Sequence, residues 1–354
     1  MFRNTYAEIN LNNITYNVKK VINKYNNFNY YFGVVKADCY GHGALETTDA
    51  IIKGGVNYLV VALLEEALEI RKKYKKIPIL CLGLIKNEDI KIAIKNNITI
   101  SILSKDYLDY LDISKLKKAT VHIKINTGMN RLGVSTKKEF NYVYSKLKEN
   151  NINIEGIYSH IHSSDNEKTT KEQFNMFYEI TSDIDLSKIK IVHIQASEAL
   201  TRYKKPKYIN GCRIGIIIYG FSDDKSLNLK STFKLCSNVI QINTLKRGDT
   251  VGYNAIYKAK KEEKIAVIPI GYADGIIRKN TNGVVYINNK SYKIVGNICM
   301  DMLFVKVDNN VKLFDKVEII KDKKQIVDIA KQLDTIVYEI TCSISKRVPR
   351  VYIK

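Results

Sequence analysis

Tyr58-Leu-Val-Val-Ala62, Leu63-Leu-Glu-Glu-Ala-Leu-Glu-Ile-Arg-Lys-Lys-Tyr74 and Ile77-Pro-Ile-Leu-Cys-Leu82 read as one strand–helix–strand unit. The outer runs are short and almost wholly apolar, as strands buried on both faces of a parallel sheet are. The middle run sets apolar residues at helical spacing with charges between them. Working outward, the same alternation extends from about residue 30 to 220. Candidate strands are Tyr30–Val35, Tyr58–Ala62, Ile77–Leu82, Thr99–Leu103, Val121–Ile125, Ile154–His160, Ile189–Ile194 and Ile214–Tyr219. Lys137–Asn150 and Thr170–Ser182 read as helices between them. Eight strands with intervening helices predict a (β/α)8, TIM-like barrel. An open doubly wound sheet would more often carry a glycine-rich phosphate turn after its first strand. The chain has no GxGxxG and no GxxxxGK[ST].

After about residue 226 the pattern changes to short strands in close succession: Phe233–Asn243, Ile265–Ile270, Gly283–Ile287, Tyr292–Val295, Leu303–Val307 and Val317–Ile320. One helix, Gln325–Leu333, intervenes before the strands Thr335–Ile340 and Arg347–Ile353. A chain of 354 residues outgrows a single core. The expected division is a barrel over 1–228 and a mainly β domain over 229–354.

Composition narrows the function. With 45% hydrophobic and 26% charged residues the chain is neither disordered nor fibrous. No run approaches the ~18 apolar residues of a membrane span, and the first residues carry no apolar leader, so a cytoplasmic protein is expected. Lys and Arg number 57 against 36 Asp and Glu, a net charge of +21. That excess is spread out, as in Arg71-Lys-Lys-Tyr-Lys-Lys76 beside Glu65-Glu66, without an arginine-rich arm or zinc-finger spacing. A lysine-covered surface is expected, not a nucleic-acid partner, and an acidic small molecule suits the same charge. The 6 cysteines include no CxxC pair and are expected to be reduced thiols.

Reactive side chains collect at the C-terminal ends of the candidate barrel strands, where barrel enzymes keep their sites. Tyr31-Phe-Gly-Val-Val35 ends in Lys36. Desolvation there would favour the neutral, nucleophilic amine; a lysine snorkelling to the barrel rim reads equally well. Arg131 follows the fifth strand, Ser159-His-Ile-His162 ends the sixth, His193-Ile-Gln-Ala-Ser197 the seventh, and Arg213 belongs to the eighth unit. This cationic set suits a phosphate or carboxylate ligand. His160-x-His162 could hold a metal with Asp165 or His193, but the cationic neighbours argue against it, and no metal is expected.

Phe32-Gly-Val-Val-Lys-Ala-Asp-Cys-Tyr-Gly-His-Gly43 resembles the pyridoxal-phosphate lysine segment of the alanine racemases, fold type III pyridoxal-phosphate enzymes. The resemblance continues in order through Thr127-Gly-Met-Asn-Arg-Leu-Gly133, Ser159-His160, Arg213-Ile-Gly215, Val251-Gly-Tyr-Asn254 and Ile270-Gly-Tyr-Ala-Asp-Gly275. It closes with Val295-Gly-Asn-Ile-Cys-Met-Asp301, Tyr338-Glu-Ile340 and Arg347-Val-Pro-Arg-Val-Tyr352. It implies the same barrel and β domain, and interconversion of L- and D-alanine, which supplies D-alanine for peptidoglycan.

The resemblance also implies roles. Lys36 binds pyridoxal phosphate as an imine and is one of two acid–base groups, with Tyr253 the other. Tyr40, Ser197, Gly215, Ile216 and Tyr338 hold the phosphate. Arg213 faces the pyridine nitrogen, and His160 bridges Arg213 and Tyr253. Arg131 and the backbone at Met300 contact the cofactor phenolate and the substrate carboxylate, and Tyr272 stands at the entrance. Lys124 matches a position carbamylated in some members. A homodimer with shared sites is implied, each barrel covered by its partner's β domain. Asp38-Cys39 stands where the family usually has Asn-Ala, Asn126 where Asp is frequent, and Ala196 where Asn commonly precedes the serine. Serine or broad-specificity racemases share the fold. A related-fold decarboxylase would lack the Lys36 and Tyr253 pair.

The chemistry accounts for these residue types. Loss of an α-hydrogen needs an electron sink and an acid–base group on each face. Amines and phenols titrate near ~10 in water, and neighbouring cations lower a phenol; Arg213 acting through His160 is such a route. An arginine against the pyridine nitrogen leaves that nitrogen unprotonated, a weaker sink that favours racemisation over transamination.

Overall fold

The computed structural model describes residues 2–354, which divide into two compact units. One comprises Thr15–Cys39 and Thr47–Leu229. Its centre is a closed barrel of eight parallel strands, Tyr30–Val34, Tyr58–Val61, Ile79–Cys81, Ile98–Ile102, Thr120–Lys124, Asn153–Tyr158, Ile191–Ala196 and Gly211–Ile214. Each pairs with the next in sequence, and the last closes on the first in the register Tyr30 to Gly211.

Seven of these strands lie where the sequence puts them. The eighth does not: the expected Ile214–Tyr219 is replaced by Gly211–Ile214, and Ile216–Tyr219 is a fully buried 3-10 turn. A short apolar run fits a buried strand and a buried turn equally, and here Gly215 (φ −122°, ψ −101°) breaks the extended backbone between them.

Helices pack around the barrel for ordinary reasons. Leu64–Lys73 carries Glu65 and Glu66 in its first turn and Arg71, Lys72 and Lys73 in its last, matching the helix dipole. It buries Ala67, Ile70 and Arg71. Lys137–Glu149 is capped by the Thr136 side chain, which accepts from Glu139 N.

The barrel interior departs from the usual layers of Val, Ile and Leu. Phe32 stacks on Tyr58 and on His193, each with ring centres 4.4 Å apart, and Tyr158 stacks on the other face of the histidine at 4.8 Å. Polar side chains lie among these rings, so this core is part hydrogen-bond network.

The second unit comprises the chain up to Ile14, Tyr40–Glu46 and Lys230–Lys354. It is built on a sheet of nine strands. Tyr6–Asn10, not expected from the sequence, runs antiparallel to Phe233–Asn238 and parallel to Arg350–Ile353. The expected strand Phe233–Asn243 is two, Phe233–Asn238 and Gln241–Leu245. The expected strand Thr335–Ile340 is instead a helix, Val337–Cys342. Its β-branched residues read as strand, but tertiary context overrides so weak a propensity. Arg3 clasps the buried Asp274 with both terminal nitrogens, at 2.9 and 2.7 Å, which ties the start of the chain into this unit.

Candidate active site

Lys36 follows the first barrel strand and begins an unusual stretch of backbone. Ala37, Asp38, Cys39 and Tyr40 all have φ between 50° and 55°, and Gly41 follows at 81°. Four consecutive L-residues thus form a left-handed helical turn, each costing roughly 1–2 kcal/mol. Gly41 is required there. A Cβ would lie 2.1 Å from the carbonyl oxygen of Thr341, and its φ is left-handed besides. Glu66 anchors the start of the turn: Oε1 accepts from Ala37 N at 2.6 Å while Oε2 accepts from Ala62 N and Leu63 N. One carboxylate therefore fixes both the residue after Lys36 and the start of a neighbouring helix.

Around the same barrel mouth stand Lys124, Arg131, His160, Ser197, Arg213, Gly215 and Ile216. Arg213, 4% exposed, is the best-held of these. Nη1 donates to His193 Nδ1 at 2.7 Å and to His193 O at 3.1 Å. Nη2 lies within reach of Ser159 O at 2.7 Å, Ile194 O at 2.9 Å and His160 Nδ1 at 3.1 Å. All five acceptors are neutral, and among the described residues no hydrogen bond is found from its Nε–H. A guanidinium only donates, so His160 Nδ1 is the accepting nitrogen and the ring proton sits on Nε2.

The concentration of cations shapes the titrating groups. Burial, with Arg213, Arg131 and Lys36 nearby, pushes the Lys124 amine down to about 7. Burial and the same cations push His160 down to about 3. Lys124 lies over the face of Tyr158, 5.4 Å from the ring centre. Ser197 Oγ accepts from Gly215 N at 2.9 Å, joining the seventh and eighth strand ends.

Two of the departures have visible local consequences. Asn126 Oδ1 accepts from Gly128 N and Asn130 N, as a carboxylate would. Its Nδ2 adds donors to Asn130 Oδ1 and Ser135 Oγ, which fastens the loop carrying Arg131. Ala196 leaves the short helix Ser197–Arg202 without a side-chain cap. His162 turns to the Ser163 hydroxyl at 2.7 Å. Among the described residues no group of three or more His, Cys, Asp or Glu stands together as metal ligands would.

The remaining expected residues belong to the second unit. Tyr40 and Tyr338 meet with ring centres 5.7 Å apart. Tyr253 is 69% exposed, on a tight turn between Gly252 (φ 69°) and Asn254 (φ 64°), and its carbonyl accepts from Asn297 Nδ2. Tyr272 N donates to Cys299 O, and Ala273 N to Met300 O. Gly271 makes that approach possible, because a Cβ would lie 2.3 Å from Cys299 O. Tyr272 and Met300 are therefore neighbours, beside the Asn297 segment that holds Tyr253.

Glu66, Asn297, His122 and Glu155 were not singled out in the sequence. Asn297 lies within the Val295–Asp301 motif with no role of its own there, and His122 and Glu155 appear as polar interruptions inside apolar barrel strands.

Residues 9–223 match the family model described as alanine racemase, N-terminal domain, and residues 232–352 the C-terminal domain. The chain belongs to the alanine racemase family. Among curated relatives, an alanine racemase of Halalkalibacterium halodurans is 36% identical over 100% of this chain and 96% of its own length. Alanine racemase 1 of Clostridium acetobutylicum is 37% identical over 100% and 97%. The solved alanine racemase of Bacillus anthracis with bound L-Ala-P superposes with a TM-score of 0.92 at 31% identity, covering 100% of this chain and 96% of that one. That of Clostridium difficile gives 0.91 at 35% identity, covering 99% and 96%. The barrel and the mainly β part are thus those of an alanine racemase. Among the described residues no helix is long and apolar enough to cross a membrane.

Acid should weaken this racemase fold. His122, His160 and His193 are held below the ordinary histidine value, by burial first of all. On unfolding each takes up a proton once the pH is under ~6.5. Their contribution is complete above that value and is lost below it, at no more than about 1.4 kcal/mol per pH unit for each group and only until the pH reaches that group's folded-state value. For His160 the loss continues down to about 3. Urea midpoints should therefore drop between pH 7 and pH 5; a flat profile there would contradict the neutral imidazoles.

Proposed function

We propose that the chain racemises alanine with pyridoxal phosphate as cofactor, and that its working form is a homodimer with shared sites. The observation that carries the cofactor reading is Arg213. It is a buried guanidinium whose hydrogen-bond acceptors are neutral, and among the described residues no hydrogen bond is found from its Nε–H. Such a donor fits a neutral aromatic nitrogen, and the surrounding Lys36, Lys124 and Arg131 fit a phosphate and a carboxylate. When bound, pyridoxal phosphate supplies the electron sink that makes the α-hydrogen of an amino acid removable.

The rest falls to the chain's own residues. Lys36 Nζ holds the cofactor covalently and moves a proton on one face of the substrate Cα. Tyr253 Oη moves a proton on the other face, one group protonated while the other is not. His160, neutral with its proton on Nε2, donates toward the tyrosine oxygen and so favours its basic form. Arg213 holds the ring nitrogen. Tyr40, Ser197, Gly215, Ile216 and Tyr338 hold the phosphate. Arg131 and the Met300 backbone orient the carboxylate, and Tyr272 with Tyr338 narrows the entrance against long side chains.

The dimer reading is supported by apolar surface on the β unit around Tyr253: Ile256, Met300 and Met302 are exposed. Specificity is tested by kcat/KM for alanine, serine, lysine and arginine. Alanine should be preferred, with the long basic substrates slowest. A preference for lysine or arginine would overturn the substrate assignment and leave a broad-specificity racemase.

A further inference from the structure

We propose that Glu155 and His122 are positioning residues for Arg213. Through His193 they form a hydrogen-bonded file across the barrel interior whose donor direction is fixed at both ends. The inference rests on the reading that Arg213 serves the site.

The file runs from Arg213 Nη1 to His193 Nδ1 (2.7 Å), from His193 Nε2 to His122 Nδ1 (3.0 Å), and from His122 Nε2 to Glu155 Oε2 (3.3 Å). Each end permits one role. A guanidinium only donates, and an ionised carboxylate only accepts. His193 Nδ1 must therefore be bare, so its proton lies on Nε2 and points at His122. His122 Nδ1 must then be bare in turn, and its Nε2–H points at Glu155. No other placement of the two protons satisfies all three contacts with neutral rings.

The ends are secured independently. Glu155 also accepts from Tyr58 Oη at 2.8 Å and from Lys190 Nζ at 2.6 Å. Although burial would raise it, hydrogen bonds from His122, Lys190 and Tyr58 hold the carboxyl down at about 2. His193 is clamped between Phe32 and Tyr158, and both imidazoles are fully buried. Burial lowers both, for His122 against the opposing pull of the Glu155 carboxylate, and the positive charge of Arg213 acts in the same direction as burial.

The physical consequence concerns where Arg213 spends its charge. A carboxylate touching the guanidinium would pull it away from the barrel mouth and take up its donors. The file instead supplies counter-charge two imidazoles away, while the guanidinium meets only neutral acceptors. Were His193 to gain a proton on Nδ1, donor would face donor at 2.7 Å and Arg213 would lose its shortest side-chain contact.

The test uses the full-length protein loaded with pyridoxal phosphate, labelled with 15N in its 5 histidines, and nitrogen spectra that distinguish the two tautomers. In the wild type His122 and His193 should both show a bare Nδ1 and a protonated Nε2, unchanged from pH 5.5 to 9. In Glu155→Gln, Lys190 still donates to the side-chain oxygen, so the amide –NH2 faces His122 Nε2. The file must then reverse or break, and His193 should shift toward the Nδ1–H tautomer. Racemisation should fall in kcat by up to about 100-fold, the scale of an ångström's misplacement, with less change in KM.

A merely structural Glu155 would leave the His193 tautomer alone, and that result overturns the proposal. A wild-type spectrum with either imidazole charged or protonated on Nδ1 overturns it as well, and decides the matter if Glu155→Gln does not fold. Tautomers as expected in a protein without racemase activity would sink the functional reading and leave the file standing.

Discussion

Lys36→Ala abolishes racemisation and the covalent capture of pyridoxal phosphate. Acid–base catalysis by one positioned group is worth about 10²–10⁴-fold, and this lysine also makes the covalent attachment, so activity should fall by at least about 10⁴-fold. The fold should survive, because the substitution removes a half-buried side chain and leaves the Glu66 anchor on the backbone of Ala37 untouched. Borohydride reduction followed by peptide mapping checks the assignment. Wild-type protein should carry one phosphopyridoxyl group, on Lys36, and the variant none. A label on Lys124, an amine at the mouth that burial pushes down to about 7, would refute the role given to Lys36.

Mixing Lys36→Ala protein with Tyr253→Phe protein should restore about a quarter of wild-type activity when subunits exchange freely. In a two-fold dimer with shared sites, a mixed pair has one site with both lesions and one with neither. Half the dimers are mixed and half of their sites intact, which gives the quarter. If lysine and tyrosine came from one chain, every site would keep a lesion and nothing would return. Exchange is verified with an affinity tag on one partner. No recovery despite verified exchange would rule out the shared site.

The barrel was legible because parallel strands buried on both faces are continuous apolar runs, and their spacing with helical segments has few other readings. Where an apolar run was short, as at Ile214–Tyr219, sequence could not separate strand from buried turn. Tyr6–Asn10 is not legible in the sequence because its partners, Phe233–Asn238 and Arg350–Ile353, lie far along the chain, and five residues alone carry little pattern. In the candidate site, the motifs point to Lys36, Arg131, Arg213 and the tyrosines. They did not reveal why Arg213 stays in place. His122 and Glu155 act through side-chain contacts between strands, and a single sequence holds no record of which strand faces which across a barrel.

The left-handed turn after Lys36 bears on how the protein comes to be assembled. Four L-residues, Ala37 to Tyr40, lie in that region, at a combined cost of roughly 4–8 kcal/mol. Support comes in part from a partner distant in the chain, Glu66, which accepts from Ala37 N. A segment of this kind cannot nucleate folding, because its contacts become available only after the surrounding structure exists. It is therefore expected to close late in folding and to open early in unfolding. Ala37→Gly, which relieves part of the cost, should therefore slow unfolding while leaving the folding rate nearly unchanged. A ligand that binds only the closed turn adds its own binding energy to that closure, so its apparent affinity is reduced by the fraction of molecules in which the turn is open.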